Sequence, residues 1–329
     1  MQIEPDNIEV LKDKGVTLNR MSQYDEAIHF FDRALEIKPD YIKAIAGKGL
    51  ALSWLNRDKE AIRYFDRALE LNPNYVEVLT DKGNSLSWLG RDKEAIECFD
   101  KALTIKPDYN NALEYKGHSL FWLDRYEEAI ECYDRALIIK PDELSILTAK
   151  GDAYRFLGKY DIATGIYDEA LALDSLCTDA LYGKSIIFGK NEKYREAVDL
   201  LNKILSVDPQ NISAIIEKAD ALVFLDRFEE SLQTANKGLE IDSTDTDLLY
   251  SKGIALAWLD RDKEAIFYFD KVLETDPDNA DVMISKANAL QVTENYKEAI
   301  AIYEKVLELD PDNEKAKINK AKAEKELQK

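Results

Sequence analysis

The sequence predicts an all-α solenoid built from nine antiparallel helix pairs. Three observations carry that expectation. All eight prolines (Pro5, Pro39, Pro73, Pro107, Pro141, Pro209, Pro277 and Pro311) fall on one 34-residue grid, whose two empty points hold Ser175 and Ser243. All four tryptophans, Trp54, Trp88, Trp122 and Trp258, obey the same grid. Within each period the apolar residues recur with helical spacing, and no strand pattern of useful length interrupts them.

Numbering each repeat 1–34 with proline at position 32 gives nine ungapped repeats: 8–41, 42–75, 76–109, 110–143, 144–177, 178–211, 212–245, 246–279 and 280–313. Residues 1–7 read as a lead-in that copies the end of a repeat. The first helix of each pair carries large apolar residues at position 4 (Leu11 to Met283) and position 11 (Leu18 to Leu290), with a small residue at position 8. The second carries a small residue at position 20 and, except at Ala235, a large one at position 24. Small residues let two helices approach, and bulky ones fill the space around the contact. Proline at 32 cannot continue the second helix, and an adjacent Asp or Asn suits the start of the next. Residues 314–329, with six Lys and three Glu, read as a C-terminal solvating helix whose Ala316, Ala321, Ala323 and Leu327 cover the last repeat.

This pattern resembles the tetratricopeptide repeat, with its small residues at positions 8 and 20 and proline at 32. The Lys at position 7 of every repeat, followed by Gly in six of the nine, is similar to long arrays of the archaeal type. The resemblance implies a right-handed superhelical α-solenoid whose first helices line a concave face through positions 2, 5, 9, 12 and 13. Two departures stand out: position 4 is aliphatic rather than Trp, and position 7 is Lys in all nine repeats, from Lys14 to Lys286. The expectation for that ladder is a stem packed between helices with its ammonium reaching an acidic neighbour.

Composition narrows the function. With 44 basic against 64 acidic residues the formal net charge is −20. Nucleic acid and anionic membrane are therefore unfavourable partners. No apolar run has the length of a membrane helix. Met1 to Asn7 lacks the basic and apolar regions of a signal peptide, and three sparse cysteines argue against a disulfide framework. A cytoplasmic location is the expectation.

Candidate binding residues lie on the side of each first helix opposite its core. Position 13 holds Trp54, Trp88, Trp122, Phe156, Phe224 and Trp258. In repeats 6–8 neighbouring groove positions are apolar too, including Tyr182, Ile186, Ile216, Tyr250 and Ile254. Such surface suits an interaction site, although position 13 can instead pack sideways on the adjacent first helix and stiffen the array. Asp220, with Asp179, Asp247 and Asp281, rings the patch, so a peptide with apolar anchors and basic flanks is the expected partner. Some relatives of the resembled family grip chaperone tails with a Lys-Asn-Arg clamp. Here Asn84 is present, but Thr80, Ser145 and Ala149 stand where basic residues are needed, so that activity is not expected.

Chemistry is sparse. His29 and His118 are the only histidines; His118 falls at groove position 9. Cys98 and Cys132 lack metal-ligand spacing. Gly183-Lys184-Ser185 imitates a phosphate loop inside a helix, and Asp242, Asp245 and Asp247 lack the central Gly and terminal Glu of a calcium loop. No enzyme, metal or cofactor is expected. A non-catalytic protein-interaction scaffold leads; a self-assembling solenoid, or the targeting part of a larger protein, is the alternative. Ser185, Gly189, Ser231, Ala235 and Gly238 thin the packing of repeats 6 and 7, which are expected to open more readily than repeats 2–4.

Overall fold

A computed structural model describes residues 7–329; Pro5 and the rest of the lead-in before Asn7 lie outside the described residues. The described residues form helices and turns with no strand. The chain divides into two compact units, Met1–Leu173 and Asp174–Lys329.

The first unit holds α1 (Ile8–Arg20), α2 (Tyr24–Ile37), α3 (Ile42–Trp54), α4 (Asp58–Leu71), α5 (Val76–Trp88), α6 (Asp92–Ile105), α7 (Asn110–Trp122), α8 (Tyr126–Ile139), α9 (Leu144–Phe156) and α10 (Tyr160–Leu173). The second holds α11 (Thr178–Lys190), α12 (Tyr194–Val207), α13 (Ile212–Phe224), α14 (Phe228–Ile241), α15 (Thr246–Trp258), α16 (Asp262–Thr275), α17 (Ala280–Val292), α18 (Tyr296–Leu309) and α19 (Glu314–Leu327). In both units every first helix spans positions 1–13 and every second helix positions 17–30. The second helix thus stops two residues short of the proline grid point. At the helix starts, Asn7, Asn211, Asp245, Asn279 and Asn313 accept hydrogen bonds from first-turn amides, as N-caps do. Tyr41, Tyr75, Tyr109, Glu143 and Cys177 hold the same position without a side-chain cap, so the expected capping applies to only some repeats.

The tight turn inside each pair has a feature the sequence did not announce. Position 15 is left-handed in all nine repeats, at Ser22, Asn56, Asp124, Glu192, Asp226, Asp260 and Glu294 as well as at Gly90 and Gly158. Only the two glycines adopt that backbone without steric cost.

The small residue at position 8 meets the aromatic ring at position 24. A Cβ added to Gly15, Gly49, Gly83, Gly151 or Gly253 would fall within 3.0 Å of atoms of Phe31, Phe65, Phe99, Tyr167 or Phe269 respectively. Those five rings are wholly buried. Where position 8 is larger, position 24 generally shrinks, as in Ser185 with Leu201 and Ala219 with Ala235; repeat 9, with Ala287 and Tyr303, departs from that rule.

Neighbouring repeats are tied by a ladder of ion pairs. Lys48, Lys82, Lys116, Lys150 and Lys286 reach Asp32, Asp66, Asp100, Asp134 and Asp270, sixteen residues earlier, at 2.5–2.7 Å. Lys320 of α19 continues the pattern to Glu304 at 2.9 Å. At Lys218 and Lys252 the residue sixteen earlier is Asn202 or Asn236. Burial, then the nearby Lys237, lowers the Lys218 pKa, while the Lys252 ammonium sits 4.2 Å from the Tyr268 ring centroid.

Helix α19 packs on α18 through Ala316 and Ala323, both fully buried. Ala321 and Leu327 are exposed. Two of the four residues expected to cover the last repeat do so; Ala321 faces solvent, and Leu327 shares the buried face but is the last residue of the helix.

Candidate functional site

The six aromatic residues at position 13 fall into two groups. Trp54, Phe156, Phe224 and Trp258 lie nearly parallel to a ring thirty residues earlier: Tyr24, Tyr126, Tyr194 and Phe228, with centroids 6.1, 5.5, 4.6 and 5.3 Å apart. Each partner is position 17, the first residue of the preceding second helix. The parallel packing is therefore onto a second helix, and Phe156 alone of the four also meets a ring of the adjacent first helix, Phe121 of α7, edge-on at 5.3 Å.

Trp88 and Trp122 differ because position 17 before them is Asp58 or Asp92. Those carboxylates turn inward and accept hydrogen bonds from Ser53 (3.0 Å) and Ser87 (2.6 Å). With no ring to lie on, Trp88 and Trp122 are 76% and 73% exposed, against 52–64% for the stacked four. The distinction was readable in principle from position 17, whose identity sequence reasoning had not connected to position 13.

Three recesses collect the candidate residues. In the first unit, a 540 Å³ recess is lined by Asn84, Ser87, Trp88, Gly90, Asp92, Tyr115, His118 and Trp122. In the second unit, one of 380 Å³ includes Ile186, Tyr194, Asp220 and Phe224. A neighbour of 460 Å³ is formed by Asp220, Val223, Phe224, Asp226, Tyr250, Ile254 and Trp258. Ile216 and Tyr182 are half-buried and line none of the three. Trp54 and Phe156 likewise stand apart from them.

In the second-unit recesses Asp220 accepts a 2.6 Å hydrogen bond from Ser251. Burial nevertheless raises its pKa, helped by Asp247 and opposed by that bond. The Tyr250 hydroxyl lies 3.2 Å from the Ser285 hydroxyl. The walls are thus aromatic and aliphatic with carboxylates at the edge.

In the first-unit recess burial lowers the His118 pKa, favouring neutral imidazole. Beneath it lies Tyr133, fully buried, with its ring centroid 5.7 Å from that of His118 and its hydroxyl without a partner. Cys98 and Cys132 are buried, and burial raises their pKa values, which disfavours the reactive thiolate. Among the described residues no group of three or more His, Cys, Asp or Glu side chains is placed to hold a metal. No helix among them is long and apolar enough to cross a membrane.

Comparison with known proteins follows the same periodicity. Tetratricopeptide repeat family models match residues 8–41, 42–75, 76–109, 108–175, 148–212, 190–252, 246–279 and 263–323. A search of curated proteins gives no significant match. Among solved structures, a tetratricopeptide repeat protein from Parabacteroides merdae is similar at 19% identity and a TM-score of 0.58, over 75% of this chain and 98% of that one. The APC/C hetero-tetramer Cut9-Hcn1 matches at 16% identity and a TM-score of 0.62, over 85% of this chain and 55% of that one. YrrB, a TPR protein with an unusual peptide-binding site, matches at 25% identity and a TM-score of 0.50, over 58% of this chain and 99% of that one. The repeat register, the helix pairs and these matches agree, and the chain belongs to the tetratricopeptide repeat family.

Proposed function

We propose that the protein is a non-catalytic interaction scaffold that binds peptide segments on its first-helix face, with its main anchors in repeats 6–8. The observation carrying this reading is the 460 Å³ recess between α13 and α15. There Phe224 and Trp258 each lay one ring face on a neighbour and remain 64% and 63% exposed. A recess of that size accepts one or two side chains, and aromatic walls are favoured anchors. Asp220 and Asp226 at its edge favour basic residues beside the apolar anchor. Family membership supports the scaffold role, and the likeness to YrrB supports a peptide as the ligand.

The test is peptide-display selection on the intact chain beside a Phe224→Ala, Trp258→Ala variant. One enriched apolar-basic motif, lost in the variant, supports the reading. Equal enrichment on both proteins overturns it and shifts the aromatic surface toward self-assembly, which mass measured against concentration would then reveal.

A further inference from the structure

We infer that the recess in repeats 3 and 4 is a second subsite, built to hold a basic side chain of a bound peptide between Trp88 and Trp122. This extends the proposed peptide-binding role to a different place in the chain, with its own chemistry.

Four features bear on it. The two indoles come from successive repeats, and they are the two position-13 aromatics without a parallel ring thirty residues earlier, because Asp58 and Asp92 occupy that place. Their faces are open to a cation, which aromatic rings attract electrostatically. A guanidinium also stacks flat on such a surface.

Second, the lining contains acceptors and no cation: Asn84, Asp92 and His118 with its imidazole held neutral by burial. Neighbouring cations are already engaged. Lys82 and Lys116 pair with Asp66 and Asp100, and Arg91 and Arg125 pair with Glu94 and Glu128. The recess therefore lacks a positive charge of its own.

Third, the Tyr133 hydroxyl is buried and unpartnered, which costs free energy in an apolar core. Its direction follows from the equivalent tyrosines. Tyr167 and Tyr303 donate at 2.7 Å to Asp152 and Asn288, each at position 9 of its own repeat. In repeat 4 position 9 is His118, which lines the recess, and the Tyr133 ring lies beneath it with its hydroxyl sealed from the recess.

Fourth, acidic groups lie near one lining residue. Tyr115 lines the recess, and its hydroxyl is pushed up by burial, then by Glu114 and Asp81. Asp81 has no ion pair among the described residues, and burial with Glu77 raises its carboxyl to about 7. A cation nearby would relieve that cost. An anionic or apolar side chain would gain nothing from these groups.

The test uses blocked pentapeptides Gly-Ser-X-Ser-Gly, with X as Arg, Lys, Gln or Glu, titrated into the full chain by isothermal titration calorimetry, whose signal does not depend on the tryptophans. The readout is repeated for Trp88→Ala/Trp122→Ala, for Tyr133→Phe and for Phe224→Ala/Trp258→Ala. Saturable binding of the Arg or Lys peptide is expected, at least tenfold tighter than Gln or Glu. It should be lost in the Trp88→Ala/Trp122→Ala protein and unchanged in Tyr133→Phe, whose hydroxyl lies beneath the lining, and in Phe224→Ala/Trp258→Ala. Both tryptophans are exposed, so their removal leaves the core intact, and helical circular dichroism verifies it. Equal response to Gln, or binding that survives loss of both indoles, overturns the subsite. Because the repeat 6–8 recess is tested by separate residues, either reading can fail while the other stands.

Discussion

Replacing Gly83 with Ala tests the packing rule that sets the helix pairs. The added Cβ would lie 2.5, 2.8 and 2.9 Å from Cε1, Cζ and Cδ1 of Phe99, where ordinary carbon contacts are about 3.5–4.0 Å. The ring must retreat by about 1 Å, yet it is fully buried and has no open side. Overpacking of this kind costs about 1–3 kcal/mol. Removing a glycine from a helix interior returns about 1 kcal/mol. The expected net effect is a loss of about 1 kcal/mol, the difference of those two magnitudes. Phe99→Leu should also destabilise by itself, through a cavity. Combined, the two changes should cost about 1 kcal/mol less than their sum, because leucine makes room for the methyl. Repeat 6, which holds Ser185 and Leu201 at the same positions, is the natural precedent. The assay is urea unfolding of the single and double variants, with hydrogen exchange in α5 and α6 to localise the loss, since repeat arrays need not unfold in one step. A Gly83→Ala protein as stable as the parent, with additive effects in the pair, would refute the steric account.

Asp81 gives a pH prediction. Its native pKa of about 7 lies above the ordinary carboxylate value of about 3.9, so the native state holds the proton more tightly than the unfolded chain. That contribution is fully present below about pH 4 and is lost as pH rises through about 7. Asp81→Asn should match the parent near pH 4 and exceed it at pH 8, by up to about 4 kcal/mol before solvent screening of this half-buried group; equal urea midpoints at pH 8 would contradict it. Asn202→Asp should complete the ladder at Lys218 and raise the melting temperature by the equivalent of about 0.5 kcal/mol, an effect that salt should weaken. Hydrogen exchange should be faster in repeats 6 and 7 than in 2–4, where glycine inside α11 and α14 and the missing ion pairs lower local stability; uniform protection would oppose that.

The fold was legible because its signal repeats. One apolar stripe is ambiguous, but nine stripes in register with prolines on a grid leave a single reading. The site was less legible, because its geometry depends on pairs of positions in different repeats. Position 13 reads as aromatic whether or not a ring awaits it at position 17, so Trp54 and Trp88 look alike in the sequence and differ in space. The Tyr133 hydroxyl was hidden for a related reason. Phenylalanine and tyrosine fill position 24 equally well, and only the structure shows that the oxygens of Tyr167 and Tyr303 reach position 9 while that of Tyr133 meets no partner. The Asp or Asn beside the proline was expected to cap the next helix, but at Asp40, Asn74 and Asp108 it stands one residue before the cap position, which Tyr41, Tyr75 and Tyr109 hold without a side-chain cap.

The equal length of every repeat has a consequence for how such a chain changes size. Each junction leaves the second helix at position 30 and enters the next first helix at position 1, with the same turn between. Within either unit, excising or duplicating 34 residues from any starting point would rejoin like to like, with no loop to rebuild and no reading frame to shift. A recombination event in the gene would then deliver a foldable product at once. Selection could alter the length of the array first and tune individual surface residues afterwards.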